Sequence, residues 1–369
     1  MSMLDLRERP GLLFTHALFT MLLGCSPAAV APPGAAPAVP AAPLPQASRG
    51  DPRLLADIPD AATLADPLSA ASLMAEIKYL VSPALLGRGS GTPYEQLAAQ
   101  HLVRELDRAG IEPLGGSPLR LQSFTFSGGT SQNVLGIIKP PDNTAASAAR
   151  VLVLGAHYDH LGLEHGEVYW GADDNASGTA VVLGVARALV ARRSELARPV
   201  VIAFFGAEES GMDGSRAFVG SHLVPADRVF AMINVDMVGR PLADQAFLLP
   251  ALALAGIDPN ASVGVDGLRG RPGFERVVRE ACSAEHHRAI TLDDLPQLLQ
   301  PTIERLSRGR GDNWSFERAG IPAIFFSSSE SSDYHQPTDT IDTLSPDLVE
   351  IRARIVLRTV IGITKLTTP

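Results

Sequence analysis

The sequence predicts an α/β fold with a mostly parallel central sheet and helices on both faces. Three observations carry the prediction. Four apolar runs rich in β-branched or aromatic residues, 151–156, 200–205, 229–235 and 322–326, read as strands buried on both faces. Segments of helical periodicity separate them, the order expected of βαβ units. The chain of 369 residues is 46% hydrophobic, which supplies a sizeable core and excludes a disordered chain.

Charge and cysteine usage narrow the function classes. A formal net charge of −9 argues against a nucleic-acid binder, which carries a basic face. Two cysteines, Cys25 and Cys282, form neither a disulfide framework nor a zinc finger. Cys282 reads as a small buried side chain.

At the N-terminus, Arg7 and Arg9 precede an apolar stretch, 11–24, too short to span a bilayer comfortably. This is the layout of an export signal. It ends Leu22-Leu23-Gly24-Cys25, which resembles the lipobox of bacterial lipoproteins. That resemblance implies residues 1–25 as a signal ending at a lipidated Cys25. The chain is then expected to be exported and anchored to a bacterial membrane, on the periplasmic or surface side. Residues 26–63, rich in Ala and Pro up to Gln46, read as an extended tether. The folded domain is expected over 64–369.

Within it, 69–81 is expected to be a helix. The glycine-rich stretch 86–92 lacks the Gly-Lys-Ser/Thr ending of a phosphate cradle and reads as a plain turn. Pro93 opens a second helix, with Leu97, Ala98, His101, Leu102 and Leu106 at helical spacing and Gly110 at its end. His101 reads as a partly buried structural residue. Residues 133–138 are strand-like. Helices are predicted at 176–191, 213–221, 274–285 and 345–366. The irregular span 241–311 reads as an insertion beside the active site, with 291–306 as a helical lid.

Ligands in open α/β sheets bind beyond the carboxyl ends of the strands. His157 and Asp159 follow the first buried run, and Asp174 lies in the connection after it. Glu208 and Glu209 follow the second, Asp236 the third and His335 the fourth. These groups therefore project to one edge. Five of them, with one shared carboxylate, give two metal ions three ligands each. His157, Asp174 and Asp236 hold one ion; Asp174, Glu209 and His335 hold the other. Mixed imidazole and carboxylate ligands suit zinc, although other divalent metals fit. Asp159 is placed to accept the second N–H of His157 and fix its tautomer. Glu208 and Glu209 are adjacent and cannot share a role: one binds metal, and the other takes a proton from water.

The motifs are Ala156-His157-Tyr158-Asp159-His160-Leu161-Gly162, the run from Gly171 to Gly178, Gly206-Ala207-Glu208-Glu209-Ser210-Gly211, Asn234-Val235-Asp236-Met237-Val238-Gly239 and Tyr334-His335. Together they resemble the M28 family of co-catalytic zinc aminopeptidases, from about Leu85 to the C-terminus. The resemblance implies a single-domain zinc-dependent exopeptidase fold, two Zn²⁺, Glu208 as general base, Glu209 as ligand, and a cis peptide between Asp174 and Asn175. It also implies hydrolysis of N-terminal peptide bonds of peptides or proteins by a metal-bridging hydroxide. Tyr334 is a candidate to stabilise the oxyanion. Asp312-Asn313-Trp314 stands where many members have Ser-Asp-His, so Asp312 reads as a structural or rim residue. The alternatives are a glutaminyl-cyclase-like or carboxypeptidase/dipeptidase activity on the same fold, or a non-catalytic binding protein.

Overall fold

The computed structural model describes residues 65–116, 120–141, 149–221, 223–243, 252–253, 255–297, 300, 304–305 and 309–369. All fall within one compact unit. The export signal, Cys25 and the tether to residue 63 are outside the described residues.

Helix α1 (Ala70–Leu80) starts at Ser69, whose hydroxyl accepts from the Ser72 N–H. Helix α2 (Pro93–Arg108) starts the same way at Thr92, with proline at its first position. His101 on α2 is buried, its Nε2 lying 2.8 Å from Glu76 Oε2. A short strand β1 (Glu112–Pro113) and the hairpin β2 (Leu121–Phe126) and β3 (Gly129–Ile138) follow. Next come β4 (Val151–His157) and a small hairpin, β5 (Gly162–Glu164) with β6 (Glu167–Tyr169). Helix α3 (Gly178–Ala191) leads to β7 (Val200–Phe205), α4 (Asp213–Gly220) and β8 (Val229–Val235). The chain continues through β9 (Ser262–Asp266), α5 (Pro272–Ala284), β10 (Arg288–Ile290), α6 (Asn313–Arg318), β11 (Ala323–Ser327) and the closing helix α7 (Pro346–Thr364).

The main sheet runs in the order β1-β3-β7-β4-β8-β11-β9-β10, with β2 paired to β3. Its centre, β7-β4-β8-β11, is parallel. The flanks bring antiparallel pairings, β3 on β7 and β9 on β11. Alternate residues feed two cores: Leu152 and Leu154 pack with α2, α3 and α7, whereas Val153 packs with Phe218 of α4 and Phe316 of α6. Helices thus cover both faces, and the central runs are apolar throughout for that reason.

One helix start and one segment stand apart from the sequence reading, and the other helix ends lie within two residues of it. Helix α3 begins at Gly178 rather than at residue 176, because Asp174 (φ −103°, ψ 92°) and Asn175 (φ −131°, ψ 43°) are not helical. The span 241–311 is not simply an insertion. It supplies β9 and β10 to the main sheet, and Val263, Val265 and Phe274 to the core. Its strands are short and carry few apolar residues, which hid them. Of the expected 291–306 lid, Leu292–Asp294 form a single turn of 3-10 helix and Gln300, Glu304 and Arg305 are helical, while 298–299, 301–303 and 306 lie outside the described residues.

Candidate metal centre

The four parallel strands end at one edge, and the chemistry is gathered there. His157 is the last residue of β4, and Asp236 directly follows β8. Glu208 and Glu209 lie in the loop after β7, and His335 in the loop after β11. Asp174 enters from the connection ahead of α3. That helix packs closely on β8: a Cβ on Gly178 would stand 2.4 Å from the Val235 carbonyl oxygen.

Asp174 turns its two oxygens to two different partner sets. Oδ1 is 3.2 Å from His157 Nε2, which is 3.4 Å from Asp236 Oδ1. Oδ2 is 3.2 Å from His335 Nε2, which is 3.1 Å from Glu209 Oε2. Asp174 Oδ2, Asp236 Oδ1 and His335 Nε2 are buried atoms without a hydrogen-bond partner. Buried polar atoms are normally satisfied, and a cation on either side of Asp174 would satisfy these. Imidazole with carboxylate in three-ligand sets is the donor chemistry of zinc, and the residues fit two such ions.

The peptide between Asp174 and Asn175 is cis. Neighbours hold this turn through its backbone. Asp339 accepts the N–H groups of Asp173 (3.0 Å to Oδ1) and Asp174 (3.1 Å to Oδ2). Asn175 Nδ2 donates to the Val235 carbonyl at 3.0 Å, and its Oδ1 accepts from the Gly178 and Met237 N–H groups. Asp173 points away from the partner sets, its Oδ1 accepting from Gly239 N at 2.7 Å and from Ser177 Oγ at 3.0 Å.

Asp159 does something other than expected. Its carboxylate is 3.8 Å from His157 Nδ1, beyond hydrogen-bond range; the Asp159 carbonyl oxygen takes that position at 3.3 Å. The carboxylate instead accepts from the backbone N–H groups of Glu208 (Oδ1, 3.1 Å) and Glu209 (Oδ2, 3.4 Å) and from Ser90 Oγ (Oδ2, 2.6 Å). It sits two residues past the end of β4, where the neighbouring β7 loop offers free N–H groups. Of the two readings of Asp312, structural or rim, burial fits the structural one: it is fully buried, and both its oxygens lack hydrogen-bond partners.

The two adjacent glutamates differ electrostatically. Burial pushes Glu208 well above the ordinary carboxylate range; His157 opposes this, while Asp312, Glu209 and Asp236 reinforce it. Burial and Asp174 also raise Glu209, but hydrogen bonds from His160 and His335 outweigh them and hold it at about 2. Two carboxylates with separated proton affinities are a sign of separate roles. Tyr334 stacks on His335, ring centroids 3.8 Å apart. Burial, with Asp174 and Glu209, raises its phenol, which therefore stays a donor.

Two residues were not assigned to the site from the sequence. His160 is buried, with Nδ1 2.7 Å from Glu209 Oε1; it stood inside a quoted motif, two residues past Tyr158, and drew no role. Arg88, in the glycine-rich turn, is fully buried and donates to the carbonyls of Tyr158 (2.8 Å), Trp170 (2.6 Å) and Gly171 (2.6 Å). That turn is a brace for the motif that begins at Gly171.

A mostly parallel α/β sheet thus carries a two-sided carboxylate and histidine cluster at its carboxyl edge, the donor set of a metal centre. The model of peptidase family M28 matches residues 133–360, and the chain belongs to that family. Aminopeptidase YwaD of Bacillus subtilis is 34% identical over 139 residues, covering 37% of this chain and 28% of the relative. The chain therefore spans well under half the length of that relative. Among solved structures, the zinc aminopeptidase BSAP of Bacillus subtilis aligns at TM-score 0.59 and 18% identity, covering 80% of this chain and 96% of the other. A Porphyromonas gingivalis glutaminyl cyclase aligns at TM-score 0.57 and 20% identity, covering 80% and 98%. At these identities the two structures are alike in fold.

Proposed function

We propose that the chain is a metal-dependent aminopeptidase that hydrolyses N-terminal peptide bonds with two zinc ions. One observation carries this reading: each oxygen of Asp174 faces its own histidine–carboxylate pair. Family membership supports peptide hydrolysis, and YwaD is itself named an aminopeptidase. His157, Asp236 and Asp174 Oδ1 would hold one ion; His335, Glu209 and Asp174 Oδ2 would hold the other. When bound, such a pair polarises the scissile carbonyl and acidifies water.

The chain's own groups do the rest. Glu209 and Asp174 are held ionised and are the better ligands; burial leaves Glu208 the higher proton affinity. Glu208 takes the proton of the attacking water and delivers it to the leaving amine. Asp159 fixes the backbone of both glutamates, so the base and the ligand keep their places. The Tyr334 hydroxyl donates to the oxyanion of the tetrahedral intermediate.

A panel of aminoacyl-nitroanilides tests this reading. Substrates with a free N-terminal amine release nitroaniline; chelator abolishes release and added zinc restores it. Turnover insensitive to chelator, or equal turnover of N-acetylated substrates, contradicts it. The fold likeness to a glutaminyl cyclase supports a second reading, cyclisation of N-terminal glutamine with release of ammonia. Ammonia release from glutaminyl peptides, without nitroanilide cleavage, would select that reading.

We also propose that the chain is exported and anchored through a lipid on Cys25, on the support of its N-terminal sequence alone. Cys25→Ser should shift the protein from the membrane to the soluble fraction. An unchanged membrane fraction argues against the anchor.

A further inference from the structure

We propose that His160 is a positioning residue for the second cation. Its Nδ1–H holds Glu209 Oε1 and so leaves Glu209 a ligand through Oε2 alone. The inference rests on the two-cation reading of the site. Glu209 Oε2 is 3.1 Å from His335 Nε2, on the side of Asp174 Oδ2. Glu209 Oε1 meets His160 Nδ1 at 2.7 Å. The carboxylate is therefore split between two imidazoles, one on each oxygen.

His160 could instead be read as a further ligand, because Nδ1 is 3.8 Å from Asp174 Oδ2. Its tautomer decides against that. An imidazole bound through Nδ1 carries its proton on Nε2. His160 Nε2 is buried and has no hydrogen-bond partner, so an N–H there would be an orphaned donor. With the proton on Nδ1 the N–H is satisfied by Glu209, and only a lone pair is left unpaired.

The ring is built into this position. The His160 backbone N–H donates to the Arg88 carbonyl at 3.4 Å, and the residue bridges to Gly89. On the other side stands Gly171, at φ +58°, where a Cβ would lie 2.4 Å from His160 Cγ and 2.2 Å from the Asp174 carbonyl oxygen. Glycine at 171 thus leaves room for the imidazole beside the turn that carries Asp174. Groups that orient a metal ligand through its second atom tune affinity by about ten- to a hundredfold.

Stepwise zinc titration of the metal-free protein against a chromophoric chelator tests this with His160→Gln and His160→Asn. Glutamine fills a similar volume but carries its amide toward the place of Nε2. Asparagine puts an amide N–H near the place of Nδ1. The expected result is two equivalents in the unsubstituted protein. His160→Gln weakens one of the two by about ten- to a hundredfold and leaves the other unchanged, and His160→Asn stays within a few-fold of the unsubstituted protein. Unchanged affinities in His160→Gln, equal weakening of both equivalents, or His160→Asn as weak as His160→Gln overturns the inference. An unsubstituted protein that binds a single equivalent refutes the two-cation reading itself, which keeps the two failures apart.

Discussion

Asp173 and Asp174 are adjacent acids ahead of helix α3. The structure separates them by direction: Asp174 faces two histidines, and Asp173 faces the Gly239 N–H and Ser177. The positions of His157, Asp236, Glu209 and His335 at one edge were legible because each sits just past a buried strand. The role of Asp159 was not, because a hydrogen bond to the backbone of another loop leaves no trace in spacing. Since Asp159 accepts the N–H groups of both Glu208 and Glu209, Asp159→Asn should act on the glutamates rather than on His157. The amide keeps one good acceptor and turns a donor toward the other N–H. We expect kcat/KM to fall by about ten- to a hundredfold, with the first zinc bound as before. Loss of the first zinc instead would restore the expectation that Asp159 orients His157.

At the scale of elements, the central strands and most helices were readable because a doubly covered sheet demands continuous apolar runs. The short flanking strands β9 and β10 were not, as three to five residues carry too little pattern. The turn 86–92 was underread for a different reason. Glycines mark a turn, but only the fold shows what Arg88 reaches. Its guanidinium donates to carbonyls on both sides of the β5–β6 hairpin, at Tyr158 before it and at Trp170 and Gly171 after it. Lysine keeps the charge but cannot reproduce the planar fork. Gly171 keeps the Ala176 N–H, so Arg88→Lys should leave at least one of the Tyr158 and Trp170 carbonyls unpaired, at about 1–3 kcal/mol. A lower urea midpoint at unchanged m-value checks this; a midpoint equal to that of the unsubstituted protein removes Arg88 from the brace.

Across the whole molecule, the centre is a concentration of buried acids, and proton binding follows from it. Burial, with the like charge of Asp339, pushes Asp173 up to about 7; burial also holds Asp312 at about 7 against the pull of His157. Burial lowers His335, but Asp174 and Glu209 outweigh it and hold it at about 10. Glu209, at about 2, works in the opposite direction but has finished titrating below the range of a free glutamate. Above about pH 5 the folded zinc-free chain therefore binds more protons than the unfolded one, and its stability falls as pH rises through 7. Zinc needs His335 deprotonated, and with this imidazole held at about 10 the stabilisation by zinc grows as pH rises below that value. At a hundredfold excess of free zinc over Kd the gain is about 2.7 kcal/mol. The melting-temperature gap between zinc-loaded and zinc-free protein should widen from about pH 5 to about pH 7; a narrowing gap contradicts the reading of the cluster as metal ligands.

The central claim is that Glu208 moves the proton while its neighbour Glu209 and four other side chains hold two metal ions. Glu208→Gln separates these functions, since it removes the base and keeps the shape. Zinc content and turnover measured on the same preparation are the direct test. The account predicts two zinc ions per chain, as in the unsubstituted protein, with kcat reduced by about 10²–10⁴. A Glu208→Gln protein that carries two zinc ions and turns over at the unsubstituted rate would contradict it.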